Sequence, residues 1–532
     1  MKGDIQRDEA AQDSESSRRI RSMMRVPDPR AAPLQASTVA DVVKEEKNPM
    51  ALSQSVRNDE SWLVRGVMAL AQSKIFRMTL MGLCVILVGM SITQGIALAD
   101  PDPTGAATIE DNPDAAVNFT WTLFAAFLVF FMQAGFALLE AGSVRQKSVA
   151  NVLTKNVMDF LMCGMAFWAF GFAIMFGGSD LSSGLDDGND IFGASGFFLS
   201  GDAYDVSTFE LWFFQMVFAA TAATIVSGTM AERTKINAYM AYSFLISAII
   251  YPVYVHWVGG GGWLATMAPP ARDFAGSGVV HTVGGTAALI GGLMLGPRLG
   301  KFGADGKPRS IPGHSMTLVV LGMLVLFLGW FGFNPGSTLA ATDLRISVIA
   351  VNTFLAGIAG GLAAYYIRFI ETGRVDIAAT CSGIIGGLVA ITAPCAFVES
   401  WAAVVIGVIA GPIVVYGARF LENVIKLDDP VWAVPCHMMN GLWGLLAVGI
   451  FADGTYLEVS GLIDGNSDQI VSQLISMVVV VAWTAVTSAA IFAAIKLTMG
   501  LRVPPEDERD GVDYAEHTQI AYPMDEVEMA RP

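Results

Sequence analysis

The sequence predicts an all-α polytopic membrane protein: eleven transmembrane helices, built as two inverted five-helix repeats with a final helix appended. Its first span starts outside and its C-terminus lies inside. Three observations carry this. Hydrophobic residues make up 53% of the 532-residue chain and charged residues only 15%, a composition suited to lipid rather than water. Apolar runs near the roughly 20 residues that cross a bilayer recur along the body of the chain, and lysine and arginine fall almost wholly on alternate connections.

Taken in order, residues 1–66 are polar, charged and poor in aromatics, which reads as a disordered extension or as sequence upstream of the true start. Residues 67–99 bring Lys74 and Arg77, an apolar run from Met78 to Ile96, and the small-residue site Ala97-Leu98-Ala99. Basic, apolar and small-x-small regions in that order make a signal peptide; an uncleaved extra span is the alternative, and either delivers the next segment to the outside. An outer linker covers 100–115, the membrane domain 116–498 and a cytoplasmic tail 499–532. The spans run at about 119–140, 157–176, 211–230, 238–257 and 278–295, then 316–333, 346–367, 377–393, 401–420, 434–451 and 471–497.

Orientation follows from positive charge, because short cytoplasmic connections are enriched in Lys and Arg. Counting span edges, connections after odd-numbered spans hold Arg145, Lys147, Lys155, Arg233, Lys235, Arg298, Lys301, Lys307, Arg309, Arg368, Arg374, Arg419 and Lys426. Connections after even-numbered spans hold only Arg272 and Arg345. The formal charge of −16 is unsuited to nucleic acid. One outer stretch, Asp180 to Glu210, carries seven acids and no base, which is either a cation-concentrating vestibule or a plain solvated loop. Five cysteines, mostly in apolar runs, make neither a disulfide framework nor a metal pattern.

Chemistry concentrates at two histidines. His281 lies eight residues after Asp273 in DFAGSGVVH, and His437 eight after Asp429 in DPVWAVPCH. An ionisable side chain in a span is costly and marks a functional site. If the intervening residues are helical they advance about 12 Å, which brings both imidazoles toward the midplane from opposite sides, the arrangement of a central site between inverted repeats. Each histidine begins a His-x-x-x-Gly, with Gly285 and Gly441 on the same face, and Gly135-Phe136 of the first span is matched by Gly332-Phe333 of the sixth. Phe214 and Phe218, four apart, share a helix face. No acidic ring or acidic chain is read deep within the spans, and no carbonyl-type potassium filter is present. A small substrate able to shed its charge fits a pore lined by Phe and neutral His.

Several stretches resemble signature blocks of the Amt/Mep/Rh ammonium transporters, the bacterial Amt branch most of all. They are FMQAGFALLEAGSVRQKSVANVLTKN (131–156), SGTMAERTK (227–235), DFAGSGVVH (273–281), WFGFNPGS (330–337), CSGIIGGLV (381–389) and DDPVWAVPCH (428–437), with a family-like tail over 500–523. The resemblance runs from about residue 116 to 523. It implies a transporter rather than an enzyme, without cofactor or metal, multi-pass in a bacterial plasma membrane. It makes Phe218 and Phe333 the aromatic gate, and His281 and His437 the twin pore histidines. Phe214 becomes a wall of the outer substrate site, Ser337 its hydroxyl acceptor, and Asp273 the acid that shapes it. Where the family usually has HWVWGGG, this chain has Gly259, which puts the outer indole in doubt unless Trp257 or Trp263 supplies it. The resemblance also implies a homotrimer and a PII-type signal protein at the cytoplasmic face, and the basic loop from Arg298 to Arg309 and the acidic tail from Arg502 to Pro523 can pair across subunits.

Aromatic faces hold a desolvated cation by roughly 1–2 kcal/mol, whereas carrying the intact ion through an apolar pore costs far more. Neutral imidazoles accept one proton and donate another, and so can pass a proton separately from ammonia. Two other classes stay open at this point: a sensor that binds ammonium and signals, and an Rh-like channel for neutral gas. Each residue also has an ordinary structural role to set against its function. A membrane histidine often serves only as an interhelical hydrogen-bonder, Asp273 can simply cap the fifth helix, and paired phenylalanines often only pack.

Overall fold

The computed structural model describes residues 101–522 apart from Ser183 and Asp186. The expected N-terminal extension, the signal segment and residues 523–532 lie outside the described residues. Within them the regular elements are helices, joined by a few isolated β-bridges. Ten are long and apolar enough to cross a membrane: α1 Ala115–Ser143, α2 Gln146–Phe176, α3 Val206–Met230, α4 Ile236–Thr266, α5 Ser277–Leu295, α6 Met316–Thr338, α7 Ile346–Thr372, α9 Ser400–Ile425, α10 Val434–Phe451 and α11 Asp468–Thr498. The eighth, α8, is the shorter apolar helix Ile377–Thr392.

Helix starts fall where the sequence supplies a cap. The Asp205 carboxylate accepts from the Ser207 N–H at 2.9 Å, Ser315 from Leu318, and Asp376 from Ala379 at 3.1 Å. The largest shift from the expected boundaries is in α2, whose helical backbone already starts at Val149, well before the expected 157. Lys155, counted from sequence as a connection residue, is therefore inside a span and fully buried. The run of charge and amide from Arg145 to Asn156 hid a helix that buries its polar side chains in protein.

At about 1.5 Å per residue α8 is shorter than the hydrocarbon core, and its unwound end explains how. Residues Ala393 to Val398 leave the helix yet stay buried, and non-helical backbone at depth must find partners. Asn352 of α7 donates to the Cys395 and Val398 carbonyls at 2.9 and 2.8 Å. The Phe274 and Ala275 N–H groups donate to Ala393 and Thr392, and Ser277 both donates to the Val389 carbonyl and accepts from the Ala393 N–H. The broken end of α8 thus holds the start of α5.

The repeats meet through glycines. A Cβ on Gly332 would stand 2.5 Å from the Ala125 carbonyl, and one on Gly322 2.6 Å from the Gly135 carbonyl, so α1 and α6 pack backbone to backbone. The tail, with short helices Pro505–Asp510 and Val512–Glu516, returns to the ends of α1, α3 and α5: the Arg502 guanidinium donates to the Leu295 carbonyl and Val503 to Arg233. This side is called the tail face below.

Candidate functional site

The two histidines sit on matching broken helices that start at opposite faces. Helix α5 begins beside α8's unwound end and finishes at the tail face, whereas α10 begins next to Asp428 on the tail face and runs the other way. Both open on π-helical turns, Ser277–Thr282 and Val434–Met439, a form frequent at functional sites. The residues between each aspartate and its helix are not helical, which corrects the expected eight-residue rise. Asp273 instead lies before the helix and caps it, its carboxylate accepting from Gly276, Gly278 and Val279 at 3.1, 2.8 and 2.9 Å. Gly276 turns the chain at φ 118°, where a side chain would be strained. Asp429 caps α10 through the Val434 N–H at 2.9 Å.

The glycines one turn beyond each histidine let these half-helices cross. A Cβ on Gly285 would lie 2.3 Å from the Met438 nitrogen, next to His437, and one on Gly441 2.4 Å from the Ser277 carbonyl in the turn that carries His281. The crossing brings the imidazoles together, with Nδ1 to Nδ1 at 3.2 Å and centroids 5.3 Å apart. Two ring nitrogens at that distance share one proton, so a neutral pair holds opposite tautomers. Whichever ring donates carries a bare Nε2, and its partner an Nε2–H. His281 is fully buried and its Nε2 has no protein partner, which leaves it free for a small polar guest.

A single file of rings leads to this pair. Phe214 meets Phe218 at 4.7 Å, Phe218 meets Phe333 at 4.1 Å, and Phe333 lies 5.4 Å from His281. Beyond the histidines, Phe136 stands 6.2 Å from His437. The two Gly-Phe pairs read from the sequence therefore flank one histidine each. Trp330 stacks on His281 at 5.3 Å, its indole N–H fixed on the Thr392 hydroxyl at 3.0 Å. All three phenylalanines before the pair are buried.

After the sixth helix's phenylalanine in this file, the partly buried Ser337 donates to the Phe333 carbonyl at 2.8 Å, which leaves its oxygen lone pairs to accept. The preceding residue packs on the first ring of the file, since a Cβ on Gly336 would touch Phe214 at 3.3 Å. The indole is not supplied by either alternative. Trp257 packs on Trp263, Trp483 and Tyr254, its N–H donates to the Ile191 carbonyl, and among the described residues the ring packed on Phe214 is Phe218. A Cβ on Gly259 meets nothing within 4 Å.

Charges missed in the sequence lie on the other side of the histidines. Glu140, Lys155 and Asp159 are all buried within the spans, which overturns the reading that no acidic chain runs deep. Glu140 closes the first expected span, Lys155 was assigned to a connection, and Asp159 stood unremarked in an apolar run. Ser227 donates to a Glu140 oxygen at 2.5 Å and Asn156 at 3.2 Å, while Tyr239 donates to Asp159 at 3.0 Å. Glu140 and His437 line one cavity of about 20 Å³, room for a molecule the size of water.

The tail face carries a second buried network. Arg298 forks onto Asp428 at 2.8 and 2.9 Å and reaches Glu232 at 2.6 Å; Arg145 also pairs with Glu232. Burial alone would raise the Asp428 carboxyl, but Arg233 and Arg298 hold it well below the usual carboxylate range; Glu232 is likewise held down against burial by Arg298 and Arg145. Within the chain Arg298 and Lys301 pair with Asp428, Glu232 and Glu422. The tail's acids cap backbone instead: Glu508 accepts from the Leu299 N–H at 2.6 Å and Asp513 from Ala150 and Asn151. Among the described residues no group of His, Cys, Asp and Glu is placed to hold a metal ion.

Comparison with known proteins agrees with this architecture. Residues 120–522 match the Ammonium Transporter Family. The ammonium transporter Amt2 of Archaeoglobus fulgidus is 52% identical over 443 residues, covering 80% of this chain and 93% of that protein. Among solved structures, a sensor Amt protein superposes with a TM-score of 0.70 at 34% identity, covering 76% of this chain and 99% of that one. Mep2 of Candida albicans superposes at 0.67 with 26% identity, over 77% and 94% of the two chains.

Proposed function

The chain belongs to the Ammonium Transporter Family, and from that premise we propose that it moves ammonium across a membrane by splitting the ion at the histidine pair. Ammonium is recruited beside Phe214, whose ring face attracts a desolvated cation, with the Ser337 oxygen accepting one of its N–H bonds. Asp273 serves this site indirectly, by fixing the start of α5. Hydration stripped at the Phe218–Phe333 gate is not replaced by any charge in the file of rings, so the intact ion is unfavourable there. Neutral ammonia is not. One proton is left behind, and the His281–His437 pair accepts it on a bare nitrogen and passes it on.

The observation that carries this reading is the 3.2 Å contact between the two Nδ1 atoms, directly behind the stacked gate. We further propose a homotrimer in a bacterial plasma membrane, with the tail face inside and open to a PII-type signal protein. A second reading, conduction of neutral gas alone, is favoured by one observation, the absent indole at Gly259. Recording from reconstituted protein separates the two. An ammonium pulse that evokes current supports charge-coupled transport, while nitrogen uptake without current moves the protein to the gas-channel class.

A further inference from the structure

We propose that Glu140 is the station at which ammonia regains its proton on the tail side of the histidine pair. The inference deepens the proposed splitting of ammonium and rests on it. Once ammonia passes His437 it enters the cavity of about 20 Å³ that Glu140 shares with His437 and Phe136. A cavity of that size holds one ammonia or one water, and both His437 and Glu140 are in its lining. The remaining wall is largely apolar, with Leu326 of α6 and Ile385 of α8. Val431, before α10, lies against α3: a Cβ on Gly228 would be 2.3 Å from it.

The step balances without any other reactant. The proton removed from ammonium at the outer site travels through the imidazole pair to His437. It crosses to a Glu140 oxygen, where an O–H bond forms as the imidazole N–H bond breaks. Ammonia then takes that proton with its lone pair; the O–H bond breaks, an N–H bond forms, and ammonium leaves toward the tail face with Glu140 again a carboxylate. Ser227 and Asn156 hold the carboxylate through donated hydrogen bonds, which keeps its position fixed across the cycle.

The groups around Glu140 favour this use over a structural salt bridge. Lys155 is fully buried one helix away, yet its Nζ has no hydrogen-bond partner and lies 5.9 Å over the Tyr239 ring. A pair held only for stability would place that ammonium directly on the carboxylate. Lys155 instead acts on Glu140 through space, together with the opposing charge of Asp159, whose Oδ1 also lacks a partner. From α10 the titratable groups on the cavity are His437 and Cys436.

The test is an ammonium-evoked current recorded from oriented membranes with the tail-side pH varied. Glu140→Gln, which keeps the shape and removes the transferable proton, is expected to cut the current about a hundredfold or more, as loss of a positioned acid–base group does. The residual current should lose the tail-side pH dependence of the wild type. An unchanged current and pH profile in Glu140→Gln overturns the proposal. Wild-type protein without any current instead defeats the underlying splitting mechanism, a separate outcome. If Glu140→Gln does not assemble, Glu140→Asp decides: a shifted tail-side pH midpoint is expected, and an unmoved midpoint overturns the assignment.

Discussion

At Gly259 a single missing side chain bears on the proposed substrate capture. A Cβ there meets nothing within 4 Å and the Trp257 indole is engaged elsewhere, so in the proposed mechanism the Phe214 face and the Ser337 oxygen hold ammonium. Gly259→Trp is expected to lower the half-saturation for ammonium, by about fivefold if the indole adds the ~1 kcal/mol of a cation–π contact. Uptake measured over a concentration series checks this; no change, or a rise, would mean that the cage is already complete. The histidines and phenylalanines were legible in sequence because ionisable and aromatic residues stand out in apolar runs. Glu140, Lys155 and Asp159 were not, since a charge near a span end reads equally as a connection until the packing that buries it is known.

The broken helices α5 and α10 are the elements on which the site depends. Their crossing leaves no room at Gly285 and Gly441, where an added methyl would strike the backbone of Met438 or Ser277 rather than a yielding side chain. Overpacking in a tight core costs about 1–3 kcal/mol, and displacing backbone lies at the upper end. Gly285→Ala and Gly441→Ala should each lower the unfolding temperature in detergent and reduce transport by separating the imidazoles; a variant with wild-type stability and transport would show that the crossing is looser than described. The apolar runs were enough to place nearly every span in sequence. The Asp273 cap was legible as an alternative in sequence, because its partners lie within six residues, but the unwound end of α8 and its hold on the start of α5 were hidden, because they depend on partners distant in the chain: Asn352 for α8's carbonyls, Val389 for Ser277.

Across the whole molecule, the tail is joined to the membrane body through backbone groups of two connections and of the start of α2, by Glu508 on Leu299, Val503 on Arg233, and Asp513 on Ala150 and Asn151. Truncation after Gly500 removes all of these while leaving the spans intact, and is expected to reduce transport with assembly preserved; native mass spectrometry should report a trimer for both forms. Full transport by the truncated protein would make the tail a passive appendage. The Asp428 and Glu232 carboxyls, held low by Arg298 and its neighbours, contribute stability that is fully present above their unfolded values of about 4 and is lost as pH falls through their lower folded values. Thermal unfolding should therefore be nearly flat from neutral pH down to about 5 and fall steeply only below about 4, a profile that Asp428→Asn would flatten. The central claim, that the 3.2 Å imidazole pair splits ammonium and carries its proton, is tested most directly by proteoliposome uptake in His281→Ala and His437→Ala. The account predicts that selective ammonium transport is lost in both while the protein still assembles; uptake unchanged in both variants would contradict it.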